Sequence, residues 1–292
     1  MCFNYSSLRL CFNNESIDVY PCCILEQDIS YKPLYTFNMH EILDIPKSIF
    51  VEKLLDIYKN GKLIKTPDIC LTRLQFPVKE DICKWNIDSI REISVSCTRT
   101  CNLSCYMCRD NIIINELADE VYYYILDALK LIKIKILHLT ESGEPFYYKE
   151  RALNYLETLT IDNCEQLFIV SNLTLLNDND IERLSTINKR ITINMAGSID
   201  GITEQTYKSI RHNNLFNKVM HNVELLIQKN ILKQVNFVVQ DLNIHELNAA
   251  YNFWKNKNVI FVPIVINDYK DIGHNTRILN SIEYKNFSQI FK

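Results

Sequence analysis

From about residue 86 the apolar positions switch repeatedly between a spacing of two and a spacing of three or four. Ile90 to Ser96 (IREISVS) alternates apolar and polar residues, the period of a strand with one buried face. Ala118 to Lys133 places Val121, Ile125, Leu129 and Ile132 on one helical stripe. The two signals then take turns. Strands are predicted at Ile134 to Thr140, Gln166 to Val170, Ile191 to Met195, Val235 to Val239 and Val259 to Ile266. Helices are predicted at Lys149 to Leu159, Asp178 to Ile187, Phe216 to Ile227 and around Leu247 to Trp254. The last strand is β-branched and continuous, the pattern of a buried parallel strand. Strands separated by helices of this length imply βαβ units and a parallel sheet. Six such units fit either an open doubly wound sheet or a partial barrel, and periodicity does not separate them.

Residues 1 to 86 lack this alternation. They hold Cys2, Cys11, Cys22, Cys23, Cys70 and Cys83, with one helical stretch, Ile42 to Tyr58, interrupted near Pro46. They read as a small Cys-rich, loop-rich accessory domain ahead of a core at residues 87 to 292. A closing helix is expected at Ser281 to Phe291.

Composition narrows the class. Of 292 residues, 47% are hydrophobic and 23% charged, ordinary for a soluble chain with a real core. The net charge of −3 implies no basic face, so nucleic acid is not an expected partner. The longest apolar run, Val259 to Ile266, is too short to cross a bilayer, and the N-terminal residues lack a signal-peptide pattern. No membrane association and a cytoplasmic location are the expectations. The 11 cysteines change the picture. In a reducing compartment, clustered thiols read first as metal ligands or redox groups.

The densest cluster is Cys97-Thr-Arg-Thr-Cys101-Asn-Leu-Ser-Cys105-Tyr-Met-Cys108, directly after the first core strand. Thiolates at spacings of four and three can wrap one face of an iron–sulfur cubane and leave one iron open. The alternative is a closed zinc site with Cys97 as fourth ligand. The ends of the later strands favour the cluster. In a parallel α/β protein these ends share one face, where sites are built. They carry Ser142-Gly143-Glu144-Pro145, Ser171-Asn172, Ser198-Ile199-Asp200-Gly201, and Asp241 with Asn243. Singly, each has a plainer role: a turn at Gly143 or Gly201, a surface charge at Arg211, a capping box from Asn243 to Glu246. His138 and Tyr122 to Tyr124 read as packing residues.

Together these residues resemble the radical S-adenosylmethionine (radical SAM) enzymes. Cys101-x3-Cys105-x2-Cys108 fits that family's cluster motif, and Ser142-Gly143-Glu144-Pro145 resembles its second motif, where Gly and Glu meet the methionine amino group. Ser198, Asp200 and Arg211 are similar to its fourth-strand region, which helps bind ribose and carboxylate. Gln240 and Asn243 resemble its fifth-strand region. The resemblance spans roughly residues 88 to 266. It implies a partial (β/α)6 TIM-type barrel and a 4Fe–4S cluster on Cys101, Cys105 and Cys108. It implies S-adenosyl-L-methionine bound near Ser142, Gly143, Glu144, Pro145, Ser171, Asn172, Ser198, Asp200, Arg211, Gln240 and Asn243. It also implies an electron donor such as a flavodoxin or ferredoxin. The sequence departs from the family's pattern at Met107, Ser142 and Leu173, the last standing where a glycine often follows. The N-terminal cysteines resemble an auxiliary-cluster domain of the SPASM type, placed here before the core. That resemblance implies a second iron–sulfur cluster held by Cys11, Cys22 or Cys23, Cys70 and Cys83, and a peptide or protein side chain as substrate. A small-molecule or sugar substrate, and a non-catalytic zinc or interaction module, are the alternatives.

Overall fold

Alternation along the strands sorts the residues of one sheet into two faces. The computed structural model describes residues 7–12, 15–20, 32–60, 90–96, 100–108, 118–139 and 143–265. Its strands are β1 (Ser7–Phe12), β2 (Ser16–Tyr20), β3 (Tyr35–Asn38), β4 (Ile90–Ser96), β5 (Ile134–Leu139), β6 (Cys164–Ser171), β7 (Thr192–Ser198), β8 (Leu232–Val239) and β9 (Ile260–Val265). Its α-helices are α1 (Lys47–Asn60), α2 (Asp119–Leu129), α3 (Lys149–Thr158), α4 (Asp178–Asn188), α5 (Glu204–Arg211), α6 (Phe216–Gln228) and α7 (Leu247–Asn256). All nine strands form a single sheet in the order β3-β2-β1-β4-β5-β6-β7-β8-β9. From β4 to β9 each strand pairs in parallel with the next, the expected (β/α)6 half-barrel.

On the outer face, Ile93, Val95, Leu137, Leu139, Leu167, Ile169, Ile193, Met195, Val235 and Phe237 are all buried. Each large apolar side chain removed from water in this way contributes roughly 1.5–3 kcal/mol before entropy is counted. The inner face is polar and half-buried: Ser94, His138, Gln166, Asn194 and Asn236 lie there, with the Phe168 ring among them. The strands therefore read as alternating although the sheet is parallel, because one face is helix-covered and the other lines an open interior.

Two expectations change. The described part of residues 1 to 86 is not a set of loops. β1 pairs in parallel with β4, and β2 and β3 continue antiparallel from it. Leu8, Leu10, Ile17, Val19, Phe37 and Phe50 join the same apolar core as the barrel. β9, expected to be buried, is an edge strand with Ile260 62% and Ile264 40% exposed. It stands last in the sheet order, and no helix follows it among the described residues. Cys22, Cys23, Cys70, Cys83, Cys97, Ser142 and the expected closing helix lie outside the described residues.

Candidate functional site

The cysteine loop is held from three sides. Its start is tied to the segment after β5 by the Glu144 amide, which donates to the Thr100 carbonyl at 2.9 Å. Its middle is tied to α5, where the Tyr106 amide donates to the Ile210 carbonyl at 2.8 Å. Its third anchor is the end of β6. Asn172 Nδ2 donates to Asn102 Oδ1 at 3.1 Å, and Asn102 Nδ2 donates to Thr174 Oγ1 at 2.8 Å. Thr174 in turn donates from its amide and hydroxyl to Asn172 Oδ1 at 2.9 and 2.6 Å. Asn102 and Thr174 were not singled out in the sequence. Only the folded register brings them together, so no sequence signal marked them.

Cys101, Cys105 and Cys108 are half-buried free thiols. Burial pushes the Cys101 thiol up from its ordinary value, and the neighbouring Glu144, Cys105 and Cys108 add to that. Burial also pushes the Cys105 thiol up, opposed by the Arg211 charge beside it. Metal ligation requires the thiolates, so iron binding must supply the free energy that removes these protons. Among the described residues no three His, Cys, Asp or Glu side chains close on one point as around a single ion. A cubane asks for something different, one thiolate on each of three irons. Three thiols in a short loop at the strand mouth provide that donor set.

The strand-end residues are drawn into one interlocked network around this loop. Glu144 is 2% exposed, and its carboxylate accepts from Ser171 Oγ at 2.7 Å, the Asn172 amide at 2.7 Å and the Phe146 amide at 3.2 Å. Burial raises its pKa, with these three donors opposing. Asp200 is fully buried, accepts from the Val238 amide at 2.7 Å and pairs with Arg211 at 2.5 Å. Arg211 is therefore not a surface charge. It is 7% exposed, and its Nη1 lies 3.6 Å from Cys105 Sγ. Asn243 also departs from its plainer reading. Its side chain does not cap toward Glu246. Asn243 Nδ2 donates to the Asp200 and Val238 carbonyls at 2.9 and 2.8 Å, and Asn243 Oδ1 accepts from the Gln240 amide at 2.8 Å. Glu246 instead accepts from the Ile202 amide at 2.8 Å and the Thr203 and Thr206 hydroxyls at 2.5 and 2.7 Å, anchoring the start of α5.

The remaining expected residues face differently. Pro145 is buried. Gly143 and Ser198 are half-buried at the ends of β5 and β7. Gln240 is 3% exposed, and neither atom of its amide has a hydrogen-bond partner among the described residues. A buried amide left unpaired is costly, and a ligand presenting one acceptor and one donor, as an adenine edge does, would satisfy it. Leu173, where a glycine was looked for, has φ 63° and is fully buried. Its amide donates to Ser171 Oγ at 2.9 Å, and its carbonyl accepts from Asn222 Nδ2 at 2.8 Å. These bonds hold a left-handed turn that leucine alone disfavours by about 1–2 kcal/mol.

The family model described as "Radical SAM superfamily" matches residues 95–253, more than half of the chain and the whole of this network. The chain belongs to the radical SAM superfamily. Radical SAM enzymes use a 4Fe–4S cluster and S-adenosylmethionine. It is 25% identical over 190 residues to a GTP 3',8-cyclase of Synechocystis, covering 61% of this chain and 55% of that one. It is 27% identical over 177 residues to a GTP 3',8-cyclase of Clostridium perfringens, covering 56% and 52%. The radical SAM chain thus spans about half the length of these relatives. Among solved structures it resembles native anSMEcpe with bound AdoMet and Cp18Cys peptide (TM-score 0.54, 20% identity, 69% of this chain and 58% of that one). It also resembles Streptococcus suis SuiB bound to S-adenosylmethionine (TM-score 0.56, 11% identity, 97% and 67%). These likenesses show the fold. No described helix is long and apolar enough to cross a membrane.

Proposed function

We propose that Cys101, Cys105 and Cys108 hold a 4Fe–4S cluster, and that S-adenosylmethionine sits on its open corner at the mouth of the half-barrel. When bound, the pair supplies reductive cleavage to methionine and a 5′-deoxyadenosyl radical, which takes a hydrogen atom from the substrate. The chain's own residues orient and enclose this chemistry. The observation that carries the reading is the tying of the cysteine loop to Glu144 after β5, to Asn172 after β6 and to Ile210 and Arg211 of α5, with Asp200 after β7 and Asn243 after β8 bonded behind Arg211. Gly143 and Ser198 are half-buried beside this mouth, and Gln240 offers its unpaired amide to the adenine. Glu144, Ser171, Asp200 and Asn243 have their side chains engaged by protein partners, so they build the site's walls. The half-buried inner face, with Ser94, His138, Asn194 and Asn236, forms the floor for a polar substrate.

The substrate class we propose is a peptide or protein side chain. Likeness over 98% of the chain to SuiB solved with its precursor peptide SuiA supports it (TM-score 0.54). A small-molecule substrate is the second reading, favoured by the GTP 3',8-cyclase relatives. An electron donor of the flavodoxin or ferredoxin type would reduce the cluster. The N-terminal cysteines remain our candidates for a second cluster; of them, Cys11 is described and buried on β1. Anaerobic reconstitution with iron and sulfide tests the cluster reading. A brown protein absorbing near ~400 nm supports it, and a colourless one, as with zinc, removes it.

A further inference from the structure

Two of the three cysteine sulfurs have a side-chain N–H aimed at them. Arg211 Nη1 lies 3.6 Å from Cys105 Sγ, and Asn172 Nδ2 lies 3.6 Å from Cys101 Sγ. The two donors come from different elements, the last residue of α5 and the residue after β6. Neither side chain is free to turn away. Arg211 is held by Asp200 at 2.5 Å, and Asp200 by the Val238 amide at 2.7 Å. The helix carrying Arg211 is bonded to the cysteine loop through Ile210 and Tyr106. Asn172 is fixed at its backbone by Glu144 and at its side-chain oxygen by Thr174. The resemblance implied that Arg211 serves the cofactor's carboxylate. The residue is 7% exposed, and its guanidinium lies between Asp200 and Cys105.

A hydrogen bond to a cluster-ligating sulfur favours the more negative, reduced state and raises the reduction potential. We infer that Arg211 and Asn172 are positioning residues that set the potential of the cluster through N–H···S hydrogen bonds to Cys105 and Cys101. This rests on the proposal that these cysteines are ligands. Asp200 neutralises most of the Arg211 charge, so the directed N–H is the larger part of the effect.

The test is an anaerobic redox titration of the reconstituted protein, followed by absorbance and electron paramagnetic resonance, without S-adenosylmethionine. Three variants are compared with the parent: Arg211→Lys, which keeps the charge and loses the planar reach; Arg211→Met with Asp200→Asn, which removes the ion pair as a unit; and Asn172→Asp, which replaces the donor with an acceptor of the same shape. Iron content and circular dichroism are measured on each. The expected result is full iron and a midpoint below the parent's in every variant, with Asn172→Asp also adding like charge. Should the double variant unfold, Arg211→Lys and Asn172→Asp carry the test. Midpoints equal to or above the parent's at full iron overturn the inference. So does a folded variant that retains no iron, since its residue would then hold the ligand set rather than tune it. A parent that takes up no iron sinks the cluster reading instead, before any potential is measured.

Discussion

The Asn172 amide donates to Glu144 Oε2 at 2.7 Å, joining the loop after β5 to the end of β6 inside the protein. Ser171 and Phe146 complete the ring of donors around the same carboxylate. Glu144→Ala leaves three buried donors without an acceptor and is expected to cost about 3–5 kcal/mol. Glu144→Gln turns a donor toward the Asn172 amide and is expected to cost about 2 kcal/mol. Urea unfolding of the metal-free protein measures both. Equal stability of Glu144→Ala and parent would show that the network is not formed.

Gly201 sits under the start of α5. A Cβ there would lie 2.7 Å from the Tyr207 amide nitrogen and 3.1 Å from Thr206. Backbone cannot yield as a side-chain tip can, so Gly201→Ala must push α5 outward, at about 1–3 kcal/mol. Ile210 of that helix accepts the Tyr106 amide of the cysteine loop, so moving the helix moves the loop. Both a lower melting temperature and poorer iron retention are expected from this one methyl group. Unchanged values of both would contradict the packing described.

Glu246 gives a pH dependence with a definite sign. Burial pushes its carboxyl up, but Thr203, Thr206 and the Ile202 amide together bring it below its ordinary value of 4.5. The unfolded chain then binds more protons than the folded one below that value, so this stabilisation is present above pH 4.5 and lost as pH falls through the lower folded pKa. Glu246→Gln should flatten the acid limb of stability against pH. Glu144 works in the opposite direction, since its raised pKa makes stability fall as pH rises from 4.5 toward the folded value. A variant whose acid limb is as steep as the parent's would remove Glu246 from the account.

The parts of this molecule that were readable in the sequence are those where one physical signal repeats. Strands β4 to β8 alternate because one face packs on helices and the other does not, and the cysteine spacing survives any change in the surroundings. β1 was missed because SLRLCF offers only Leu8, Leu10 and Phe12 as alternation, with Cys11 drawing attention to metal chemistry. α5 was missed because eight residues carry only Tyr207 and Ile210 on an apolar face. β9 was misjudged because burial depends on the sheet edge, which a β-branched run does not reveal. His138 read as a packing residue. It does touch Phe168, with ring centroids 5.2 Å apart, but its Nε2 also lies 3.4 Å from Glu92 on the neighbouring strand. The cofactor-site expectations fell on strand-end residues, among which Glu144, Asp200 and Asn243 are held by protein partners. They assigned to ligand contact several side chains that the fold uses on itself, a distinction set by three-dimensional register.

The N-terminal cysteines separate by iron count. A second cluster predicts about eight irons per chain after anaerobic reconstitution, and the core cluster alone about four. Cys11→Ala should lower the higher figure and leave the lower one untouched. A count of four in the parent removes the second cluster.

The central claim is that the cysteine loop and the strand mouth together open the sulfonium of S-adenosylmethionine. Its most direct test is to reconstitute the full chain, reduce it with dithionite and measure 5′-deoxyadenosine by mass spectrometry. The account predicts 5′-deoxyadenosine and methionine from the parent and from Cys97→Ala, and neither product from Cys101→Ala, Cys105→Ala or Cys108→Ala. An iron-loaded, reduced parent that forms no 5′-deoxyadenosine, or a Cys105→Ala variant that forms as much as the parent, would contradict it.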